Sequence, residues 1–378
     1  MDRRHFLQIS SAGLLELALS SQLSPLEAKR LRGKNKYSIV ILGDTHYDTE
    51  PVSVYHEKFS WPEGWQSRVR RGEFARYGEM WRDRGPRLIR RAASLIDKDT
   101  AMVLHMGDLV QGDCGDAGVH RQMLDNAMHL MKTTLGGVPF VTVCGNHDIR
   151  GVGAREVYDE YMSKRMSQEL GKKIEGTDFY YTLGDDAYIV LDFNHRPKDA
   201  LIEQMLRETE GARHTFIISH GPVIPADTGH CRWCFYGEDT PEYNEGRRHF
   251  RAEFAKRQAI VLCGHVHTTE FFDWWGDDGR ITQLIMSSVW IDPSRANYVV
   301  DEEGPSNFGG LRKQIKKLRN GQPPKDESAF YAEYQPGLRA YSHSLAAGSY
   351  KLNVSPKHVT IDFYAGDSED ISHTFVLR

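Results

Sequence analysis

Side chains that commonly bind metal ions follow five of the apolar segments of this chain. They occur in five short motifs, which are Asp44-Thr45-His46, Gly107-Asp108, Gly145-Asn146-His147-Asp148, His220 and Gly264-His265-Val266-His267. Their carboxylate, amide and imidazole donors suit Fe, Mn or Zn better than Ca or Mg. The candidate ligands are Asp44, His46, Asp108, Asn146, His220, His265 and His267. Because they exceed the needs of one tetrahedral site, they predict two divalent or trivalent metal ions, with Asp108 as the natural bridging carboxylate.

The combination of these motifs is more informative than any single one. Asp-x-His and Gly-Asp occur often by chance in ordinary loops, whereas Gly-Asn-His-Asp and Gly-His-x-His directly after an apolar segment are rare. Their ordered joint occurrence disfavours the alternative that they are unrelated polar loops. The glycines that precede the ligands permit sharp turns and a close approach of the backbone to the site.

The apolar segments predict buried strands separated by helices. The strands are expected at Tyr37–Leu42, Ala101–Met106, Val138–Cys144, Tyr188–Phe193, Thr215–Ser219 and Ala259–Cys263. The helices are expected at Pro86–Lys98, His120–Leu135, Ala154–Leu170, Lys198–Glu210 and Tyr243–Lys256. This alternation indicates an α/β fold with a largely parallel inner sheet, whose strands end at one edge.

The last third of the chain has a different pattern, with short strands and turns. Strands are expected at Glu270–Trp275, Ile281–Val289, Tyr350–Val354, His358–Tyr364 and Ser372–Leu377, as antiparallel additions to the sheets. Residues 34–378 are therefore predicted to form a single domain. Two stretches, at about 50–85 and 301–345, are predicted to be insertions.

The motif set, which covers the chain from about residue 37 to 290, resembles the calcineurin-like metallophosphoesterase family, in its general phosphoesterase branch. The resemblance implies a four-layer αββα sandwich of two mixed β-sheets flanked by helices, with a two-metal site at one end. It implies that one metal takes Asp44, His46, Asp108 and His267. It also implies that the other takes Asp108, Asn146, His220 and His265. His147 matches the catalytic histidine of the family, and Asp148 is expected to orient it.

Such a site predicts hydrolysis of phosphate esters, either monoesters or diesters. Two metal ions would activate a hydroxide that attacks phosphorus and would stabilise the phosphoryl oxygens. His147 would assist the leaving group with a hydrogen bond or a proton. Asp148 would fix the tautomer of the His147 ring.

The N-terminus resembles a twin-arginine export signal. Arg3-Arg4 is followed by Phe6-Leu7 and a short apolar stretch. Residues 1–33 are therefore predicted to be an export signal and linker outside the folded domain. The expected location is the periplasm or the outside of the cell, with the twin-arginine export machinery as a partner. The alternative is an N-terminal amphipathic helix on a cytoplasmic protein.

Composition limits the other possibilities. The 378 residues include 48 basic and 52 acidic side chains, a net charge of −4, which disfavours a protein that binds nucleic acid over its whole surface. A local basic patch is still allowed, because nine arginines lie between Arg68 and Arg91, so a nuclease or nucleotide phosphodiesterase is an alternative function. A second alternative function is that of a non-catalytic metal-binding scaffold. No apolar run approaches the ~18 residues that a membrane span needs.

Several other residues give weaker indications of their roles. Cys231 and Cys234 could form a local disulfide, and His230 or His249 could contact substrate. His105 is expected in the core. The arginines between Arg68 and Arg91 are expected either to be a solvated helix face or to attract anions at the rim of the site.

Overall fold

The computed structural model describes residues 35–48, 54–56, 59–60, 65–195, 199–227, 232–310 and 327–378. The predicted export signal, His230 and Cys231 lie outside these ranges, so the disulfide between Cys231 and Cys234 stays a prediction. Within the described ranges, no helix is both long and apolar enough to cross a bilayer.

The strands lie in two sheets. They are β1 (Tyr37–Leu42), β2 (Thr100–His105), β3 (Phe140–Thr142), β4 (Phe179–Leu183), β5 (Asp186–Leu191), β6 (Thr215–Ser219), β7 (Ile260–Cys263), β8 (Thr269–Gly276), β9 (Gly279–Ile285), β10 (Glu302–Glu303), β11 (Leu338–Ser344), β12 (Gly348–Val354), β13 (Val359–Ala365) and β14 (His373–Val376).

The helices connect and cover these strands. They are α1 (Trp65–Asp83), α2 (Gly85–Ser94), α3 (Ala117–Thr134), α4 (Ala154–Leu170), α5 (Asp199–Glu208), α6 (Pro241–Lys256) and the short α7 (Ser328–Ala332). Side chains cap the N-termini of α3 and α6. Asp116 accepts a hydrogen bond from the Val119 N–H, and Thr240 accepts one from the Tyr243 N–H.

Both sheets combine parallel and antiparallel pairs. The first has the order β14-β13-β12-β1-β2-β3, in which β1, β2 and β3 are parallel and the other pairs are antiparallel. The second has the order β10-β11-β8-β9-β7-β6-β5-β4, with parallel pairing from β5 through β6 and β7 to β9. Each sheet therefore contains a block of parallel strands that end on the same edge.

Alternating side chains show how the layers pack. In β5, Tyr188 and Val190 belong to a core shared with β1 and β2, whereas Ile189 and Leu191 pack with α5 and α6. Because successive strand residues point to opposite faces, the second sheet is buried on both sides. The first sheet packs against α2, α3 and α4 in the same way. The result is the expected four-layer αββα sandwich of two mixed sheets flanked by helices.

The predicted strands and helices are all present, with ends displaced by a few residues. Several elements were not predicted from the sequence pattern. β4 pairs with β5 through an antiparallel hairpin, and β11, within the stretch taken as an insertion at 301–345, pairs with β8 in the second sheet. The other supposed insertion, at 50–85, contains the 19-residue helix α1.

Candidate metal centre

The candidate ligands meet where the parallel strands of both sheets end. Asp44 and His46 follow β1, and Asp108 follows β2, in the first sheet. His220 and the Gly264–His267 motif follow β6 and β7 in the second. Since the carboxyl ends of parallel strands share one edge, motifs far apart in sequence come together here.

One group of ligand atoms belongs to Asp44, His46, Asp108 and His267, and these atoms all lie within 4.8 Å of one another. His46 Nε2 is 3.1 Å from His267 Nε2 and 3.5 Å from Asp108 Oδ2. His267 Nε2 is 3.6 Å from Asp44 Oδ1. Two imidazoles and two carboxylates therefore converge on one point, as ligands of a transition metal do.

A second group contains Asp108, His220 and His265, again with all ligand atoms within 4.8 Å of one another. His220 Nε2 lies 3.2 Å from Asp108 Oδ2 and 3.1 Å from His265 Nδ1. Asp108 thus belongs to both groups, as its predicted bridging role requires.

Asn146 lies beside the shared carboxylate. The next residue, His147, donates its backbone N–H to Asp108 Oδ1 at 2.7 Å. Within the described part of the chain, Asn146 Oδ1 and Asp44 Oδ2 are buried without a hydrogen-bond donor. A buried oxygen without a partner costs about 1–3 kcal/mol, and a bound cation would remove this cost. The donor set and these two oxygens therefore fit two metal ions.

The backbone at the site is strained. Left-handed φ angles occur at five ligands, which are Asp44 (52°), His46 (46°), Asp108 (52°), His265 (74°) and His267 (58°). Side chains other than glycine rarely adopt this region, and each such residue costs on the order of 1–3 kcal/mol. The concentration of this cost at one edge of the sheets is typical of a functional site, where the backbone turns sharply to aim side chains inward.

Gly145 and Gly107 permit close approaches between the strand ends. A Cβ added to Gly145 would lie 2.0 Å from the Asp108 backbone nitrogen and 2.2 Å from its Oδ1. Gly107 has a φ of 88°, and a Cβ there would lie 2.6 Å from His220 Nδ1. These contacts confirm the predicted use of glycine in front of the ligands.

Backbone groups orient the ligand side chains. His220 Nδ1 donates to the Met106 carbonyl at 2.6 Å, which directs Nε2 at Asp108 and the second group. Asp44 Oδ1 accepts the His265 N–H at 2.8 Å. Such contacts fix tautomer and ring orientation before a metal binds.

The protein groups perturb one another's pKa values strongly. Burial raises the pKa of Asp44 to about 8, against the opposing effect of His220. Although burial opposes it, the Asp108 carboxylate raises the pKa of His220 to about 9. Burial lowers the pKa of His267 to about 3, so its ring is neutral, as a ligand must be. A cation would replace the protons that Asp44 and His220 otherwise hold.

His147 is at the edge of the first group, but Asp148 does not orient it. The His147 ring lies 4.3 Å from the His46 ring. Its Nδ1 donates to the Gln111 carbonyl at 3.0 Å, and its Nε2 accepts from Arg150 Nη1 at 3.1 Å. Asp148 instead accepts the backbone N–H groups of Val110 (3.0 Å) and Gly145 (2.9 Å). The expected Asp148–His147 contact is corrected accordingly: Gln111 fixes the tautomer, and Asp148 holds two loops together.

Helix α1 packs directly on the site, which the sequence interpretation missed. Tyr77 stacks on His46 with ring centroids 4.1 Å apart, and Trp81 Nε1 donates to the carbonyls of Thr45 and His46, each at 2.8 Å. Glu73, one turn earlier, accepts from Arg150 at 3.1 Å. The spacing of four between Glu73, Tyr77 and Trp81 puts them on one helix face and could have indicated this role.

The arginines between Arg68 and Arg91 divide between two environments. Six are exposed, namely Arg68, Arg71, Arg76, Arg82, Arg87 and Arg90. Arg70 turns inward to Asp113 at 2.9 Å, and buried Arg84 donates to the Trp290 carbonyl at 2.7 Å. Most of the set is therefore a solvated face, while Arg70 helps to dock α1.

Other predicted residues are also placed by the structure. His105 is buried and contacts Thr45 Oγ1 at 3.0 Å, as expected for a core residue. His249 lies on α6, with Nε2 3.4 Å from Glu203 on α5. Two aromatic rings not singled out in the sequence, Phe193 and Trp233, each have centroids 5.0 Å from that of His265.

Comparison with models of protein families agrees with this geometry. A family model described as calcineurin-like phosphoesterase matches residues 37–269, which include all seven candidate ligands. No curated protein matches the chain significantly. Among solved structures, PhoD is 11% identical, with a TM-score of 0.49 over 91% of this chain and 69% of PhoD.

Two further solved structures are similar over a comparable length. GAP50, the anchor in the inner membrane complex of Plasmodium, is 11% identical, with a TM-score of 0.46 over 91% of this chain and 89% of its own. A dimetal phosphatase from Danio rerio is 12% identical, with a TM-score of 0.44 over 90% of this chain and 99% of its own.

Proposed function

Because this chain belongs to the calcineurin-like phosphoesterase family, we propose that it is a hydrolase of phosphate esters that depends on two metal ions. The observation that carries the proposal is the pair of ligand groups that share Asp108. Asp44, His46, Asp108 and His267 would hold one ion. Asp108, His220, His265 and, through its buried Oδ1, Asn146 would hold the other.

The protein groups around the ligands have separate tasks in this proposal. When bound, the two ions supply Lewis-acid polarisation of the phosphoryl oxygens and an activated water. His147 directs its Nδ1–H to the Gln111 carbonyl, so Nε2 is the atom that can exchange a proton with the leaving group. Tyr77 and Trp81 hold His46 in place from the α1 side.

The test is a paired hydrolysis assay on the purified full-length protein, loaded with Mn, Fe or Zn. p-Nitrophenyl phosphate and bis(p-nitrophenyl) phosphate are compared, and their ratio separates monoesterase from diesterase activity. We expect metal-dependent turnover that Asp108→Asn abolishes and that His147→Ala lowers by about 10²–10⁴-fold. Asp125→Asn, at a half-buried position on α3, is the matched control and should retain wild-type activity.

Two results would contradict the proposal. One is turnover by Asp108→Asn at the wild-type rate, which would place the chemistry elsewhere. The other is the absence of turnover with every metal and both substrates, which would favour a non-catalytic scaffold.

We also propose that the protein is exported through the twin-arginine pathway. The support is in the sequence, where Arg3-Arg4 precedes a short apolar stretch. Cell fractionation should find the protein outside the cytoplasm. A variant with both arginines changed to lysine should stay inside, and equal export of the two proteins would overturn the proposal.

A further inference from the structure

Arg150 contacts the ring of His147, which lies at the edge of the first ligand group. Its Nη1 lies 3.1 Å from His147 Nε2, the one ring nitrogen of that histidine not bonded to the backbone. A guanidinium can only donate hydrogen bonds, so Nε2 is the acceptor. The arginine side chain retains 17% of its exposure, so it borders the solvent side of the site.

Two carboxylates from different elements hold this guanidinium. Nη2 forms ion pairs with Asp113 at 2.6 Å and with Glu73, on α1, at 3.1 Å. Asp113 also pairs with Arg70 at 2.9 Å. The cluster contains two positive and two negative charges, so it is neutral overall. Its contribution is therefore directed hydrogen bonds at a fixed place and not a long-range attraction of anions.

The guanidinium has N–H groups that neither the two carboxylates nor His147 uses. Arginine carries five N–H groups, of which two face the carboxylates and one faces His147. Its Nε is buried without an acceptor in the described ranges of the chain. An imidazole nitrogen is a neutral acceptor, whereas an oxygen of a phosphate ester is charged or becomes charged during hydrolysis. A guanidinium binds an ionised oxygen more strongly than a neutral nitrogen, so a bound ester competes well for Nη1.

We propose that Arg150 is a substrate-contacting residue whose Nη1 donates a hydrogen bond to the leaving-group oxygen of the phosphoester beside His147. Asp113 and Glu73 are its positioning residues. This inference rests on the proposed phosphoesterase function. No proton leaves Arg150, because a guanidinium stays protonated; it stabilises the negative charge that develops as the P–O bond breaks.

The test uses aryl phosphates whose phenols span a range of pKa values, hydrolysed by the metal-loaded full-length protein. Arg150→Ala should lower kcat by about 10²-fold, a typical effect of removing one hydrogen-bond donor to developing charge. The loss should grow as the leaving group becomes poorer. Millimolar guanidinium should restore part of the activity of Arg150→Ala. Arg121→Ala, a half-buried arginine on α3, is the control and should show neither effect.

Two milder variants keep the test valid if Arg150→Ala fails to fold. Arg150→Lys retains the positive charge but loses the planar guanidinium with its fixed N–H donors. Glu73→Gln weakens only the contact that positions Arg150. Each should lower kcat about 10-fold with little change in KM, with metal content unchanged.

An equal loss for all leaving groups, without rescue by guanidinium, would overturn the inference and indicate a structural arginine. Unchanged kcat in both Arg150 variants would overturn it as well. In either case an active wild-type protein would leave the proposed function intact. A wild-type protein without metal-dependent turnover would instead overturn both proposals.

Discussion

Asp108 is the carboxylate that the two ligand groups share. Its Oδ2 lies within 3.5 Å of His46 Nε2 in one ligand group and 3.2 Å of His220 Nε2 in the other. Its Oδ1 accepts the His147 N–H. Although burial would raise its pKa, the neighbouring His220 and His147 hold the pKa of Asp108 well below its usual value. The carboxylate is therefore charged and ready to bridge two cations.

Gly145→Ala should damage the site through this carboxylate. The new Cβ would meet the Asp108 backbone nitrogen at 2.0 Å, so the strand ends must move apart. We expect lower metal content and at least a 10-fold loss of metal affinity, comparable to the loss of an orienting contact. Metal analysis after dialysis measures this. Gly310→Ala, where a Cβ meets no atom of the described residues within 4 Å, is the control, and equal metal content in both variants would contradict the expectation.

Single residues also show the limit of prediction from sequence. The ligand types and their order could be predicted, because metal chemistry restricts them to a few donors. The partner of the His147 ring could not, because the Gln111 carbonyl carries no side-chain signal. Asp148, adjacent in sequence, was the natural expectation, yet its oxygens accept from Val110 and Gly145.

Among the elements, helix α1 contacts the site although its sequence has no clear apolar periodicity. Trp81 fixes the carbonyls of Thr45 and His46, where the backbone adopts the strained φ of His46. The helix was not predicted because glycine and arginine interrupt its apolar pattern, and only one narrow face is buried. The strands, in contrast, are buried on both sides and have apolar runs that identify them directly.

Trp81→Phe should loosen the first ligand group while retaining the ring. Removing the indole N–H leaves two carbonyls without this donor, at a cost of about 1–3 kcal/mol in the free energy of unfolding. The affinity for one of the two metal ions should fall about 10-fold, which calorimetric titration can resolve. The control is Trp275→Phe, whose indole is exposed and bonds to Asp273. Equal metal affinity in both variants would show that Trp81 does not support His46.

The order of elements explains why most of the fold could be predicted. Alternating strands and helices imply parallel pairing, and each motif at a strand end then falls on the same edge. Residues 338–344 were one exception, because their pairing with β8 is decided by contacts that are distant in sequence. The presence of two facing sheets came only from the family resemblance, since strand patterns do not specify how sheets stack.

At the scale of the whole molecule, buried neutral histidines make stability sensitive to acid. Burial lowers the pKa of His120 to about 4, below the usual value near 6.5. The unfolded chain therefore binds more protons between these values, and stability falls as the pH drops through this window. Its Nε2 donates to the Asp148 carbonyl at 2.8 Å, which links this histidine to the loops of the site.

His120→Gln should remove this sensitivity while retaining a donor to the same carbonyl. Between pH 7 and pH 4, the wild-type protein should lose about 3 kcal/mol of unfolding free energy relative to the variant, since each pKa unit is worth about 1.4 kcal/mol. Urea unfolding of chelator-treated proteins across this range measures the difference. Parallel stability curves for the two proteins would show that His120 titrates normally.

The number of metal ions bound per chain is the most direct test of a site for two metal ions. Elemental analysis of the full-length protein, after loading and removal of excess metal, should give two ions for the wild type. Because Asp108 belongs to both ligand groups, Asp108→Ala should lose both ions, whereas His265→Ala should retain one. A wild-type protein that binds no more than one ion, or an Asp108→Ala variant that still binds two, would contradict the account.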